Sequence, residues 1–282
     1  MVIRQEPGGQ KMLMILLKKN SLPGGIPVKI LLMTDCTVSY KNSDIKIFKD
    51  INNLAEAFSS EFISVINSQL LNQKKINVAL SGGNTPKFFF QKLVLLKQKL
   101  DWGKIFLYWG DERCVPPEDP GSNFGMAKKY LLDHIKIPDE NVIRIKGENN
   151  PDNEAKRYSE IIRKNLPEIN GLPRFEIMIL GLGEDGHTAS IFPNQLELLN
   201  SDEICSVASH PVTKQKRITL TGKVIKNSGK IFFLVLGKNK SIIVSEIINE
   251  KGNYLKYPAY HIKPLDGEVV WFLDKEAASE LK

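Results

Sequence analysis

Hydrophobic positions along the chain change period several times, and each change predicts an element. Leu54, Phe58, Phe62, Val65 and Ile66 recur at helical spacing, which sets one apolar stripe on a helix over 54–70. Residues 76–80 form a short apolar run that ends at Ser81-Gly82-Gly83, the pattern of a buried strand meeting a turn. Pro86 then falls in the first turn of a helix, where proline is tolerated, and 87–100 continues it. Residues 105–109 and 175–180 read as further buried strands, with helices over 123–134 and 153–165 between them. A strand over 231–236, a helix over 239–248 and a strand over 269–273 follow. Asp274 is placed to cap a short terminal helix.

Apolar strands alternating with helices predict an α/β fold: an open, mostly parallel, doubly wound (Rossmann-like) sheet with helices on both faces. Ligands bind such sheets in the crevice beyond the carboxyl ends of the strands. That rule singles out the loops after Leu80, Trp109 and Leu180. The first 44 residues lack a sustained period and carry Gly8-Gly9 and Pro23-Gly24-Gly25. They read as an N-terminal extension, disordered or packed at an edge, ahead of one α/β domain over 45–282.

Composition narrows the picture. The chain is 42% hydrophobic and 25% charged, the balance of a globular protein. No apolar run approaches the roughly 18–20 residues of a membrane helix. The nearest, 12–17, is too short for a secretory core and precedes no small-residue cleavage pattern. A cytoplasmic protein without a membrane partner is expected, a monomer being favoured although the oligomeric state is left open. The three cysteines, Cys36, Cys114 and Cys205, lie far apart and form neither a metal spacing nor a disulfide framework. Cys114 beside its charged neighbours reads as a semi-buried residue before it reads as a nucleophile. The formal charge of +7 comes from scattered lysines, a bias towards anions without the continuous basic tract of a nucleic-acid footprint.

Each of the three loops carries candidate chemistry. Ser81, Gly82, Gly83, Asn84 and Thr85 combine two glycines and two hydroxyls at a helix start. They form either an anion seat or a plain capped turn. Asp111, Glu112 and Arg113 follow an apolar strand directly, with Ser122-Asn123 further on. Arg113 can hold a carboxylate, a phosphate or a developing oxyanion, oriented by Asp111 or Glu112, unless the trio is only a solvated turn. The third loop runs Gly-Leu-Gly-Glu-Asp-Gly-His-Thr-Ala-Ser-Ile-Phe-Pro over 181–193. Its Gly-x-Gly-x-x-Gly matches a dinucleotide fingerprint. Glu184 and Asp185 would meet a pyrophosphate with like charge, and Pro193 leaves little room for the helix that should follow. The glycines instead present His187 at the strand end, where it can take a proton from water or give one to a leaving oxygen. Asp185 or Glu184 can orient its ring.

Over 45–281 the three loops together, with Arg217-Ile218-Thr219-Leu220-Thr221 and the turn at 237–240, resemble the 6-phosphogluconolactonase family, within a wider group that includes glucosamine-6-phosphate isomerases and deaminases. Asn84 stands where that family usually has serine, and Lys216 where proline is common. The deaminase branch usually has proline at the position of Glu184. The resemblance implies hydrolysis of 6-phospho-D-glucono-1,5-lactone to 6-phospho-D-gluconate without metal or other cofactor. It further implies the substrate phosphate on 81–85 with Arg217 and Lys240 as charge partners. His187 would be general acid or base, Asp185 or Glu184 would orient the site, and Arg113 would bind substrate or oxyanion. The partner expected is a small sugar phosphate. The rival readings are an amino-sugar-phosphate isomerase or deaminase, a non-catalytic sugar-phosphate regulator and a nicotinamide dehydrogenase.

Overall fold

A computed structural model describes residues 36–40 and 43–281. In chain order the elements are β1 (Cys36–Tyr40), β2 (Ser43–Phe48), α1 (Ile51–Gln69), β3 (Ile76–Leu80), α2 (Asn84–Leu95), β4 (Ile105–Trp109), β5 (Asp111–Arg113) and α3 (Asn123–Tyr130). There follow α4 (Pro151–Asn165), β6 (Glu168–Ile169), β7 (Leu172–Pro173), β8 (Ile177–Leu180), β9 (Cys205–Ser209), β10 (Lys216–Leu220), α5 (Gly222–Lys226), β11 (Lys230–Val235), α6 (Ser241–Asn249) and β12 (Glu268–Asp274).

The main sheet has the order β1-β2-β12-β11-β8-β3-β4. Every pairing from β2 to β4 is parallel, and β1 closes the far edge antiparallel to β2. The expected open, mostly parallel sheet is therefore the observed one. Of the residues read as an extension, 36–40 and 43–44 belong to β1 and the start of β2, and the rest lie outside the described residues. The chain crosses from β3 outwards to β4, then returns to β8 on the other side of β3 and continues to β11 and β12. The crevice between β3 and β8 is a topological switch point, where an open α/β sheet leaves room for a ligand.

Packing follows from the apolar stripe. Asp50 starts α1 by accepting from the Asn52 and Asn53 amides. Two turns on, Phe58 meets Phe89 of α2, Phe232 of β11 and Phe272 of β12 with ring centroids 4.6–5.1 Å apart. Strand alternation sends Phe233 and Trp271 to the opposite face, where they stack at 4.1 Å. Both faces are buried, which is why these strands read as apolar runs without alternation.

Three expected elements differ. The helix over 87–100 begins at Asn84 and ends at Leu95; buried Trp102 donates its Nε1–H to the Lys97 carbonyl and closes a separate 3₁₀ turn there. The helix over 123–134 stops at Tyr130 because Leu131 leaves helical geometry as it is buried, and Leu132–His134 is a 3₁₀ turn. Asp274 does accept from the Ala277 amide, yet only turns follow.

Candidate active site

β11, β8, β3 and β4 are neighbours in the sheet, so the loops leaving their carboxyl ends open on one crevice. These are 237–240, 181–193, 81–86 and the stretch that begins at Gly110. A small second sheet, β5-β10-β9, stands beside them and carries Arg113 and Arg217.

In the 181–193 loop, the Gly183 amide donates to the His187 carbonyl at 2.8 Å and folds the chain back on itself. His187 Nδ1 then lies 2.5 Å from Asp185 Oδ1, whose oxygen also accepts the His187 amide. Gly183 is required by space: a Cβ there would sit 2.1 Å from His187 Nδ1 and 2.6 Å from Asp185 Oδ1. The buried Phe192 ring packs on the imidazole at 4.8 Å. Burial tends to raise the Asp185 pKa, but the hydrogen bonds and charge of His187 outweigh it and hold the carboxyl below its ordinary range. Of the two acids left open by the sequence, Asp185 meets the ring. Glu184 turns outwards to Asn239 and lies 3.9 Å from Lys240 Nζ. Burial lowers the Lys240 pKa against the opposing pull of Glu184 and Asp185.

The Asp111–Arg113 trio is divided among three tasks, and it is not a solvated turn. Asp111 and Glu112 are buried. The Glu112 carboxylate accepts from the Asn123 and Phe124 amides, each at 2.7 Å, and from Ser122 Oγ at 3.0 Å. It thereby supports the start of α3, and burial raises its pKa in spite of those bonds. Asp111 accepts from Ser190 Oγ at 2.7 Å and from the Asn123 amide group at 3.2 Å. It pins the histidine loop to the arginine loop. Arg113 stands directly opposite Arg217 in the β5–β10 pairing. Both Nε atoms are buried and lack a hydrogen-bond partner among the described residues. Burial and then the Arg113 charge lower the Arg217 pKa. Arg113 Nη1 donates to the Gly121 carbonyl, so the buried donors left unmet on the two guanidinium groups are their Nε atoms.

At the third loop, α2 begins with Gly83 at the N-cap position and no side-chain cap hydrogen bond. Ser81 is buried. Gly82 touches the second loop: a Cβ on it would fall 1.7 Å from Asn123 Oδ1. Thr85 is half-buried at the same helix start. Cys114 is half-buried, and burial and then the Glu112 charge push its thiol up to about 11, which favours the unreactive thiol form.

Sequence reasoning missed His210, in the turn between β9 and β10, whose ring packs against Phe192 at 5.3 Å. It also missed Thr219 and Ser190, which join across the site at 3.1 Å. Ser190 lies in the 181–193 loop and Thr219 in the 217–221 stretch, where the sequence pattern gives neither a role. Nothing in the local pattern around His210 marks it.

A strand-end site of this kind on a doubly wound parallel sheet marks a Rossmann-like α/β enzyme. Residues 49–271 match the family described as glucosamine-6-phosphate isomerases/6-phosphogluconolactonase. A 6-phosphogluconolactonase of Haemophilus influenzae is 41% identical over 82% of this chain and 96% of its own length. A crystal structure of devB protein superposes with a TM-score of 0.79 at 36% identity, covering 84% of this chain and 99% of that one. The 6-phosphogluconolactonase of Trypanosoma brucei does so at 0.77 and 29%, covering 86% and 100%. The chain belongs to the glucosamine-6-phosphate isomerase/6-phosphogluconolactonase family. Among the described residues no helix is long and apolar enough to cross a membrane.

Proposed function

We propose that this enzyme hydrolyses 6-phospho-D-glucono-1,5-lactone to 6-phospho-D-gluconate, the second step of the oxidative pentose phosphate pathway. The observation that carries the reading is the 2.5 Å contact of His187 Nδ1 with Asp185 in the crevice of the arginine pair. Relatives named 6-phosphogluconolactonase, matched over most of their length, support the substrate.

Asp185 takes the Nδ1 proton of His187 in a hydrogen bond, which leaves the lone pair on Nε2. Nε2 removes a proton from water as the water oxygen bonds to the lactone carbonyl carbon. The tetrahedral oxyanion then collapses, the bond from that carbon to the ring oxygen breaks, and the imidazolium returns its proton to that oxygen. In this reading His187 is base first and acid second. The substrate phosphate rests at the start of α2, over Ser81, Gly82, Gly83, Asn84 and Thr85, with Arg217 and Lys240 as its cations. Arg113, beside Arg217, binds the substrate or the oxyanion, and Asp111 holds these loops in register. A lactone is already an activated ester, so positioning and proton transfer are sufficient without a metal or nucleotide.

The decisive assay is hydrolysis of freshly prepared phosphogluconolactone, measured above its spontaneous background. Enzyme-dependent acid release is expected. Release of ammonia from glucosamine 6-phosphate, without lactone hydrolysis, would replace this reading with the deaminase one.

A further inference from the structure

His210 closes the β9–β10 hairpin. Its amide donates to the Gln215 carbonyl, and its own carbonyl accepts from the Lys214 amide, both at 3.0 Å. The ring is fixed as well. Nδ1 accepts from the Val212 amide at 3.2 Å and from the Thr213 amide at 3.1 Å. A ring nitrogen that accepts two amide protons carries none itself, so the neutral imidazole has its proton on Nε2. No described residue bonds to Nε2, and it is not among the buried side-chain atoms left without a partner, so it is open to solvent or a ligand.

This ring faces the site. It packs edge-on against Phe192, whose other neighbour is the His187 ring. Burial, then the charges of Arg217 and His187, lower its pKa; Asp185 opposes them and Arg113 adds to them. Protonating Nδ1 would also turn a donor towards two N–H donors. His210 is therefore a neutral donor. It has no lone pair at Nε2 with which to act as a base. It also suits a phosphate poorly, because a dianion would favour an imidazolium that the turn opposes, and the arginine pair already supplies charge.

We infer that His210 is a specificity-determining residue whose Nε2–H donates to an uncharged oxygen of the sugar-lactone ring. The inference rests on the lactonase reading. It divides labour between two histidines on either side of Phe192: His187 moves protons and His210 only recognises.

The test compares His210→Asn with the wild-type chain. The asparagine Oδ1 can take the place of Nδ1 in accepting the turn amides, while the donor at Nε2 is lost. Expected are an unchanged melting temperature, a kcat/KM for phosphogluconolactone lower by about tenfold, the size of one lost hydrogen bond, and an unaltered pH profile of kcat. Protection by inorganic phosphate stays as in the wild type. A wild-type kcat/KM in the variant, or a displaced pH profile, overturns the inference while leaving the lactonase reading intact. Absence of hydrolysis by the wild-type chain overturns the lactonase reading, and the inference with it. Should the asparagine variant lose the hairpin, His210→Gln and His210→Leu both lack the turn acceptor and differ in the donor. The glutamine variant then keeps the higher kcat/KM, and equal values overturn the inference.

Discussion

Arg113 and Arg217 occupy one cross-strand position of the β5–β10 pair, like charge against like, and each keeps a buried Nε without a partner among the described residues. Directly opposed like charges destabilise a strand pair by about 0.2–1 kcal/mol. If the pair binds the substrate phosphate as proposed, an anion should relieve this cost. Arg217→Met is expected to leave the ligand-free melting temperature equal or raise it by about 2–4 °C. The variant should lose the protection that inorganic phosphate or 6-phosphogluconate gives the wild type. Thermal melts with and without these anions check this; a variant protected as well as the wild type refutes the anion role.

His187→Ala is expected to lower turnover of phosphogluconolactone by about two to four orders of magnitude, the usual contribution of a lost general acid-base. The melting temperature should change little, because the ring is partly exposed and Asp185 can be hydrated in its place. Steady-state kinetics beside a melt decide it. Near-wild-type turnover would remove His187 from the mechanism.

Gly183→Ala tests position without touching a reacting group. The new Cβ would overlap both His187 Nδ1 and Asp185 Oδ1, so the pair must part or rotate. A displacement of about 1 Å costs about a hundredfold in rate. The loss should appear in kcat, with anion binding retained. A fully active alanine variant would mean that the pair has no required geometry.

Much of the fold was legible in the sequence, and less of the site. The bounds of β3 and β4 agree with their apolar runs because strands buried on both faces are apolar throughout. The second sheet was not legible. β5 consists of Asp111, Glu112 and Arg113, residues with no strand preference, and its partner β10 is remote in the chain. Hence Arg113 and Arg217 could each be singled out as cationic, while their direct opposition could not. His210 was hidden for a related reason. Its donor character follows from two amides in its own turn and from Phe192, which only the folded chain brings to it. Asp185 and Glu184 were indistinguishable as neighbours in sequence, and the turn closed by Gly183 separates them.

Asp185 also gives a pH dependence with a definite sign. Its folded pKa lies below the ordinary value of 3.8. The stability it contributes is therefore fully present above that value and is lost as pH falls through the folded pKa. Asp185→Asn should be less stable than the wild type by a constant margin at neutral pH, and the margin should close in acid below about pH 3.8. Its size will be modest because the carboxylate is 39% exposed and screened by water. Paired melts across that range check it, and a margin that widens in acid contradicts the assignment.

The contact between Gly82 and Asn123 reaches beyond the single molecule. The asparagine Oδ1 fills the space that any side chain at position 82 would need, and the same residue bonds to Asp111 on the arginine loop. Position 82 cannot gain a side chain while Asn123 keeps this place. A descendant sequence that gains a side chain at 82 has to shrink residue 123 in the same lineage, and must then find another tie for Asp111. The two loops are coupled in heredity as they are in space, and positions 82 and 123 should vary as a pair wherever they vary.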